Sequence, residues 1–138
     1  MNNVIHVKRG YGPIVEGEAL VIREGFSPRY DLDRISGVIA RVGHSVEGWS
    51  VKDRILVIPT VKGGVAAGWA FFDLLHKGIA PKGLVFGKLN PVMVQGAVLA
   101  KMPITEGWSI NALDVIATGD RIRVDPGARA ILLLSHAS

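Results

Sequence analysis

The residues best suited to chemistry lie in one glycine-rich segment, where Lys62, Gly63 and Gly64 follow an apolar strand predicted over residues 54–58. A helix is predicted to begin directly after this segment. Such a turn directs unpaired backbone N–H groups, and the positive end of the helix dipole, at one point in space. With the positive charge of Lys62, it suits a small anion such as a carboxylate, a phosphate or an enolate forming in a reaction. The alternative is an ordinary tight turn that binds nothing.

Two helices are predicted in the middle of the chain. The first spans residues 65–77 and ends at Gly78, a residue suited to the position just past a helix end. It is apolar on nearly every side, so each face has to be covered, either by the core or by another chain. The second spans residues 90–100, with Asn90 as the N-cap and Pro91 in the first helical position.

Short apolar runs predict the strands that position these elements, and turns rich in Gly, Pro and Asp separate them. The last such turn has Pro126 and Gly127 in type II positions. The order of strands and helices predicts a mixed α/β fold, a single layered domain with two main helices that covers residues 1–138. The predicted strands cover residues 4–7, 18–23, 36–40, 54–58, 83–87, 121–124 and 130–134, with a further short one starting at Ile104.

Composition excludes several classes of function. The 138 residues include no cysteine, which excludes disulfides, cysteine metal ligation and a cysteine nucleophile. The four histidines are far apart in sequence, so no metal site is predicted. The formal net charge is +4 with scattered cations, which favours an anionic small molecule or acidic partner over nucleic acid. Because no signal peptide and no membrane-spanning segment is recognisable, we expect a cytoplasmic chain with no membrane partner.

An ordered set of short motifs along nearly the whole chain resembles the swivel domain, or small subunit, of aconitase X-type dehydratases. No single motif is specific, but the ordered set is. The motifs include EGEALV at 16–21, DLD at 31–33, SGVI at 36–39, ILVIP at 55–59, KG at 62–63, KGIAP at 77–81, NP at 90–91, TGD at 118–120 and VD at 124–125.

The resemblance implies a swivelling β/β/α fold and a larger partner subunit that carries most of the active site. An iron–sulfur cluster or another metal is expected in that partner, and no cofactor is expected on this chain. Members of the family remove water from hydroxy-acid substrates, such as a phosphorylated mevalonate or a hydroxylated proline. The small subunit closes over the cleft and supplies a serine as the catalytic base. By this resemblance the chain is the small subunit of a heterodimeric hydro-lyase and is inactive alone.

The sequence departs from the family pattern at the position of that serine, where it has Gly64. Glycine has no side chain and cannot abstract a proton, whereas dehydration needs a base within hydrogen-bond reach of the substrate. Thr60 carries the nearest hydroxyl in the sequence and is the candidate catalytic residue, and a residue of the partner is the other candidate. The candidate substrate-binding residues are Lys62, Gly63, Gly64 and Asp33.

Other interpretations of these residues stay open. A chain without the serine also fits a binding or regulatory swivel module that has no catalytic role. Asp33 can stabilise its own loop by pairing with Arg34, and Asp120 is predicted to cap a turn beside Gly119. A phosphohistidine carrier, the other kind of swivelling domain considered, is disfavoured because residues 65–75 contain no histidine after the Gly-Gly turn.

Overall fold

Seven strands form a closed barrel in the computed structural model of the chain, which describes residues 4–23, 32–33, 36–39, 46–60, 77–88 and 102–136. The barrel strands are β1 (Val4–Tyr11), β2 (Val15–Val21), β5 (Arg54–Thr60), β6 (Gly83–Lys88), β7 (Ile104–Trp108), β8 (Arg121–Asp125) and β9 (Ala130–Ser135). A separate antiparallel pair joins β3 (Leu32–Asp33) to β4 (Val38–Ile39), and a 3₁₀-helix spans Ala112–Asp114.

The strand order around the barrel is β1-β7-β6-β5-β2-β8-β9, and pairing between β1 and β9 closes it. Strands β2, β5, β6 and β7 are mutually parallel neighbours, while the remaining pairs are antiparallel. Strand β1 holds the closure together because its first residues pair with β9 and its last residues pair with β7.

Both faces of the parallel strands are buried, which explains the unbroken apolar run at residues 55–58. One face packs in an outer core with Ile39 of β4 and with Val46 and Val51 of the following segment. The opposite face packs in an inner core with residues of β1, β8, β9 and the 3₁₀-helix. Each parallel strand is therefore held between two apolar clusters.

The predicted fold class was wrong. The described residues form a closed barrel of strands, and among them the one helical element is the 3₁₀-helix of three residues, so they do not make a layered α/β domain with two main helices. The physical reason is that a sequence pattern shows where a strand lies along the chain but not which strand it pairs with. The long β1 pairs with both β7 and β9, and this lets the sheet close on itself. Residues 65–76 and 90–100, where the two helices were predicted, lie outside the described residues.

Each predicted strand overlaps a strand of the structure, although residues 36–37 form a turn before β4 and β3 was not predicted. The half-buried β8 is confirmed, since Ile122 and Val124 are buried and Arg121 is exposed. The turn after β8 is not type II, because Gly127 lacks the positive φ which that turn requires. The left-handed residue in this hairpin is Arg129, at φ 53°. No helix in the described part of the chain is long and apolar enough to cross a membrane.

Candidate functional site at the carboxyl edge

Two polar side chains stand where the parallel strands β5 and β6 end. Thr60 is the last residue of β5, Lys88 is the last residue of β6, and the strand register pairs them directly. Both residues are exposed. Because neighbouring strands lie about 4.8 Å apart, a hydroxyl and an ammonium group can reach one small ligand from this position. Thr60 and Lys88 together are called the carboxyl edge below.

The face of the sheet to which the carboxyl edge belongs follows from the alternation of side chains along a strand. Thr60 lies two residues beyond Ile58, and Lys88 lies two residues beyond Phe86. Ile58 and Phe86 are fully buried in the outer core. The polar pair therefore continues the outer face just past the last buried layer. Both side chains are exposed and lie in register, which makes this edge the candidate site.

The inner face is covered at the same end of the barrel by Trp108. A Cβ atom added at Gly87 would lie 2.6 Å from Cζ2 of the Trp108 ring and 2.9 Å from the backbone oxygen of Pro59. The indole thus occupies the space that a side chain at position 87 would need, and it packs against the inner core. A ligand at this end can therefore contact the outer face, where Thr60 and Lys88 lie.

The remaining site residues predicted from the sequence are not brought together by the described structure. Lys62, Gly63 and Gly64 lie outside the described residues. Asp33 is exposed in β3, where its backbone oxygen accepts a hydrogen bond from the Gly37 N–H at 2.8 Å. It thus belongs to a different sheet from Thr60.

Sequence reasoning missed Lys88. The signal was present, because β5 and β6 each end an apolar run with a polar residue, Thr60 in one strand and Lys88 in the other. Recognising it required knowing that the two strands are parallel neighbours in a register that aligns their last residues.

The Thr118-Gly119-Asp120 motif is structural, which confirms the predicted turn cap. Asp120 is 1% exposed, and its Oδ2 accepts a hydrogen bond from the Ala117 N–H at 2.8 Å. Thr118 Oγ1 accepts a hydrogen bond from the Val21 N–H at 2.9 Å. These bonds attach the turn to β2, so the motif stabilises the barrel.

The described residues offer no metal centre, since no group of three or more His, Asp or Glu side chains among them could hold an ion. The whole chain also lacks the cysteines that an iron–sulfur cluster takes as ligands. The donor set of this chain therefore does not fit such a cluster.

Comparison with known proteins identifies the family. A family model for the aconitase X swivel domain matches residues 4–133. The chain belongs to the aconitase X swivel domain family. The resemblance carried by the ordered motifs is thereby confirmed.

Curated relatives of this swivel domain align with it over most of the length of both chains. The phosphomevalonate dehydratase small subunit of Archaeoglobus fulgidus is 33% identical over 110 residues, which cover 80% of this chain and 83% of the relative. The phosphomevalonate dehydratase small subunit of Methanocella arvoryzae is 29% identical over 119 residues, covering 86% of this chain and 89% of the relative.

Solved structures share the fold of this swivel domain. A chain in the crystal structure of Thermococcus kodakaraensis aconitase X in its holo-form superposes with a TM-score of 0.88, covering 97% of this chain and 100% of that one. At 24% sequence identity, this similarity shows the fold alone. The solution NMR structure of a UPF0107 protein gives a TM-score of 0.87 at 28% identity, covering 96% of this chain and 99% of that one.

Proposed function

We propose that this chain is the small subunit of an aconitase X-type hydro-lyase and that, with a larger catalytic subunit, it dehydrates a phosphorylated hydroxy acid. The observation that carries the proposal is the family match across residues 4–133. The relatives named as phosphomevalonate dehydratase small subunits support phosphomevalonate as the first substrate to test. The name small subunit in these relatives supports a larger catalytic partner.

The carboxyl edge supports a substrate-facing role for the end of β5. Thr60 and Lys88 are exposed and adjacent, and the segment with Lys62, Gly63 and Gly64 follows Thr60 directly in the sequence. A substrate with both a carboxylate and a phosphate needs more than one cationic contact. In the proposed complex, Lys62 and Lys88 bind these anionic groups together with the backbone amides of Gly63 and Gly64, and Asp33 orients the substrate.

The proposed reaction removes a proton from the carbon next to the carboxylate and a hydroxyl group from the neighbouring carbon. The electron pair of the broken C–H bond forms the new C=C bond, and the departing hydroxyl leaves as water after taking up a proton. In our proposal Thr60 accepts the first proton, because Gly64 has no side chain at the position of the family's serine. A threonine hydroxyl is a weak base until a neighbouring group activates it. The activating group is then expected from the partner subunit.

The partner is also where we place the iron–sulfur cluster or other metal, since this chain has no cysteine and its described residues form no ligand cluster. A bound metal of this kind supplies Lewis-acid assistance to a departing hydroxyl. This chain contributes anion binding and the candidate base, and we propose that it closes over the cleft of the partner.

A non-catalytic swivel module is the second candidate function, and Gly64 is the observation that favours it. If every proton transfer uses residues of the larger subunit, this chain binds and closes without taking part in the chemistry. It then still forms the complex, but changes at Thr60 leave the turnover number unaltered.

The test is to co-express this chain with the aconitase X-type large subunit of the same organism and to purify the complex through a tag on the large subunit. We expect equal amounts of the two chains and formation of an alkene product from phosphomevalonate, detected by proton NMR. Each chain alone should be inactive. Lys62→Ala should abolish most turnover, and Gly64→Ser should change the rate or the substrate preference. A large subunit that purifies alone and is fully active would refute the proposal.

A further inference from the structure

A second polar region lies at the opposite end of β5 and β6, where both strands begin, beside the middle of β2. It is an open pocket of about 290 Å³, just below the usual range of roughly 300–1,000 Å³ for small-molecule sites. Gly17 forms part of its wall, and the other lining residues are all charged. This amino-end pocket is lined by Glu18, Lys52, Asp53, Arg54, Lys82 and Arg121.

The charges of the amino-end pocket do not balance. Four cationic and two carboxylate side chains line it, which leaves a formal charge of +2, half of the net charge of the whole chain. Arg54 is paired, with its Nη1 at 3.0 Å from Glu18 Oε2. Within the described ranges, Lys52, Lys82 and Arg121 have no carboxylate partner. Asp53 is the other carboxylate of the pocket, so these three cations leave an excess charge of +2, which attracts a multiply charged anion.

The strands and turns that carry these cations are tied together by the backbone. The Asp53 N–H donates to the Ala80 oxygen at 3.1 Å, and the Lys82 N–H donates to the Arg54 oxygen at 2.8 Å. The strand register places Glu18 directly between Arg54 of β5 and Arg121 of β8. Backbone positions fixed in this way reduce the ordering cost of binding a ligand.

Two side chains are further held in place by contacts of their own. The Arg54 guanidinium lies 5.0 Å from the centre of the Trp49 ring, a cation–π contact that adds to its ion pair. Lys82 Nζ donates to the Glu16 backbone oxygen at 3.3 Å, and its stem passes over Gly17. Lys52 and Arg121 remain exposed and free to turn onto a ligand.

We propose that the amino-end pocket binds a dianionic oxyanion and that a phosphate monoester is its best match. A dianion neutralises the formal charge of +2, and Lys and Arg donors suit phosphate oxygens. The cations converge on one small cavity and do not spread along a face, which favours a small molecule over an acidic protein segment. Because β5 separates Arg54 from Thr60 by roughly 20 Å, this site lies beyond the function proposed for the carboxyl edge.

The experiment is a titration of the full-length ¹⁵N-labelled chain followed by its backbone amide shifts. Inorganic phosphate and glycerol 3-phosphate are the two probes, and sodium chloride at equal ionic strength is the control for screening. We expect saturable shifts at residues 17–18, 52–54 and 121, with a dissociation constant of about 1 mM or tighter. Tighter binding of glycerol 3-phosphate than of phosphate would identify a monoester, and the reverse order would identify the free ion.

A charge-matched pair of variants tests the site itself. Lys52→Gln combined with Arg121→Gln removes two exposed cations of the pocket and should weaken binding about tenfold or more. Lys8→Gln combined with Arg9→Gln removes two exposed cations from β1 and should leave binding within about twofold of the parent. The amide spectrum of each variant also reports whether the barrel is folded.

Three results would overturn the proposal. They are the absence of saturable shifts with either probe, equal binding by the double variant and the parent, or shifts produced only by an acidic polypeptide such as poly-glutamate. The last result would identify a protein partner. Because no turnover is measured, failure here leaves the dehydratase proposal untouched, and failure of that proposal leaves this one untouched.

Discussion

The two ends of the parallel strands differ in where their polar residues come from in the sequence. At the amino end, the charged residues come from four separate stretches of sequence, and folding brings them around one cavity. At the carboxyl edge, Thr60 and Lys88 each terminate a strand, and the glycine-rich segment with Lys62 follows within two residues. The same β5 runs between the two ends, with its middle fully buried.

This difference explains why the sequence predicts a site at the carboxyl end and not at the amino end. A strand followed by a glycine-rich turn is a local pattern, so the sequence alone predicts a site at the carboxyl end. Glu18 and Arg54 are paired only because β2 and β5 are parallel neighbours in a given register. Nothing in the local sequence around either residue indicates that partner.

The largest expected effect compares one glycine from each end. Gly87→Ala should destabilise the fold by about 3 kcal/mol, because the new methyl group meets the Trp108 ring at 2.6 Å and a backbone oxygen at 2.9 Å. Gly17→Ala should change stability by less than about 1 kcal/mol, since its nearest neighbour is the flexible Lys82 side chain at 3.3 Å. Urea unfolding followed by circular dichroism measures both. Equal losses of unfolding free energy in the two variants would show that the backbone at Gly87 is packed no more tightly than the backbone at Gly17.

The next effect concerns the hydroxyl at the carboxyl edge. In the assembled enzyme, Thr60→Val should lower kcat by about 100-fold, the usual scale for loss of a general base. Thr60→Ser keeps the hydroxyl and should retain most activity. Steady-state kinetics on phosphomevalonate measures both variants. An unchanged kcat in Thr60→Val would assign the base to the partner and favour the non-catalytic swivel module.

A smaller effect is expected from the neighbouring lysine. Lys88→Gln should raise KM about tenfold with kcat within about twofold, because a cation that binds substrate and transition state equally affects binding alone. Lys77→Gln serves as the control, since Lys77 is exposed in a turn before β6. An equal change in both variants would mean that general charge, and not the position of Lys88, attracts the substrate.

The smallest effect tests the ion pair at the amino end. A double-mutant cycle with Arg54→Gln and Glu18→Gln should give a coupling energy below about 1 kcal/mol, because the pair is partly exposed and screened by solvent. Urea unfolding at low and high salt measures it. A coupling energy above about 2 kcal/mol would mean that the ion pair contributes substantially to the stability of the amino end.

The barrel strands were predictable from sequence, but the short β3 and the closure of the barrel were not. Apolar runs located the strands, and the polar–apolar alternation of residues 121–124 predicted the half-buried β8. The barrel depends on pairings such as Val4 with Leu132, at opposite ends of the chain, and no local pattern encodes them. The prediction of a layered α/β domain was wrong for this reason.

The candidate site was predictable in part. The end of β5 was identified through its glycine-rich continuation, and Thr60 is exposed at that end. Lys88 was missed because it lies beside Thr60 only through the register between β5 and β6, which the sequence does not show. Lys62, Gly63 and Gly64 stay predictions, since they lie outside the described residues, and so does the role of Asp33.

The double pairing of β1 has a consequence for how the protein is made. The first residues of β1 pair with β9, so the seam of the barrel closes only after residues 130–135 have left the ribosome. Contacts this distant in sequence also slow folding. Before β9 is synthesised, β1 presents an unpaired strand edge, which can pair with a strand of another copy.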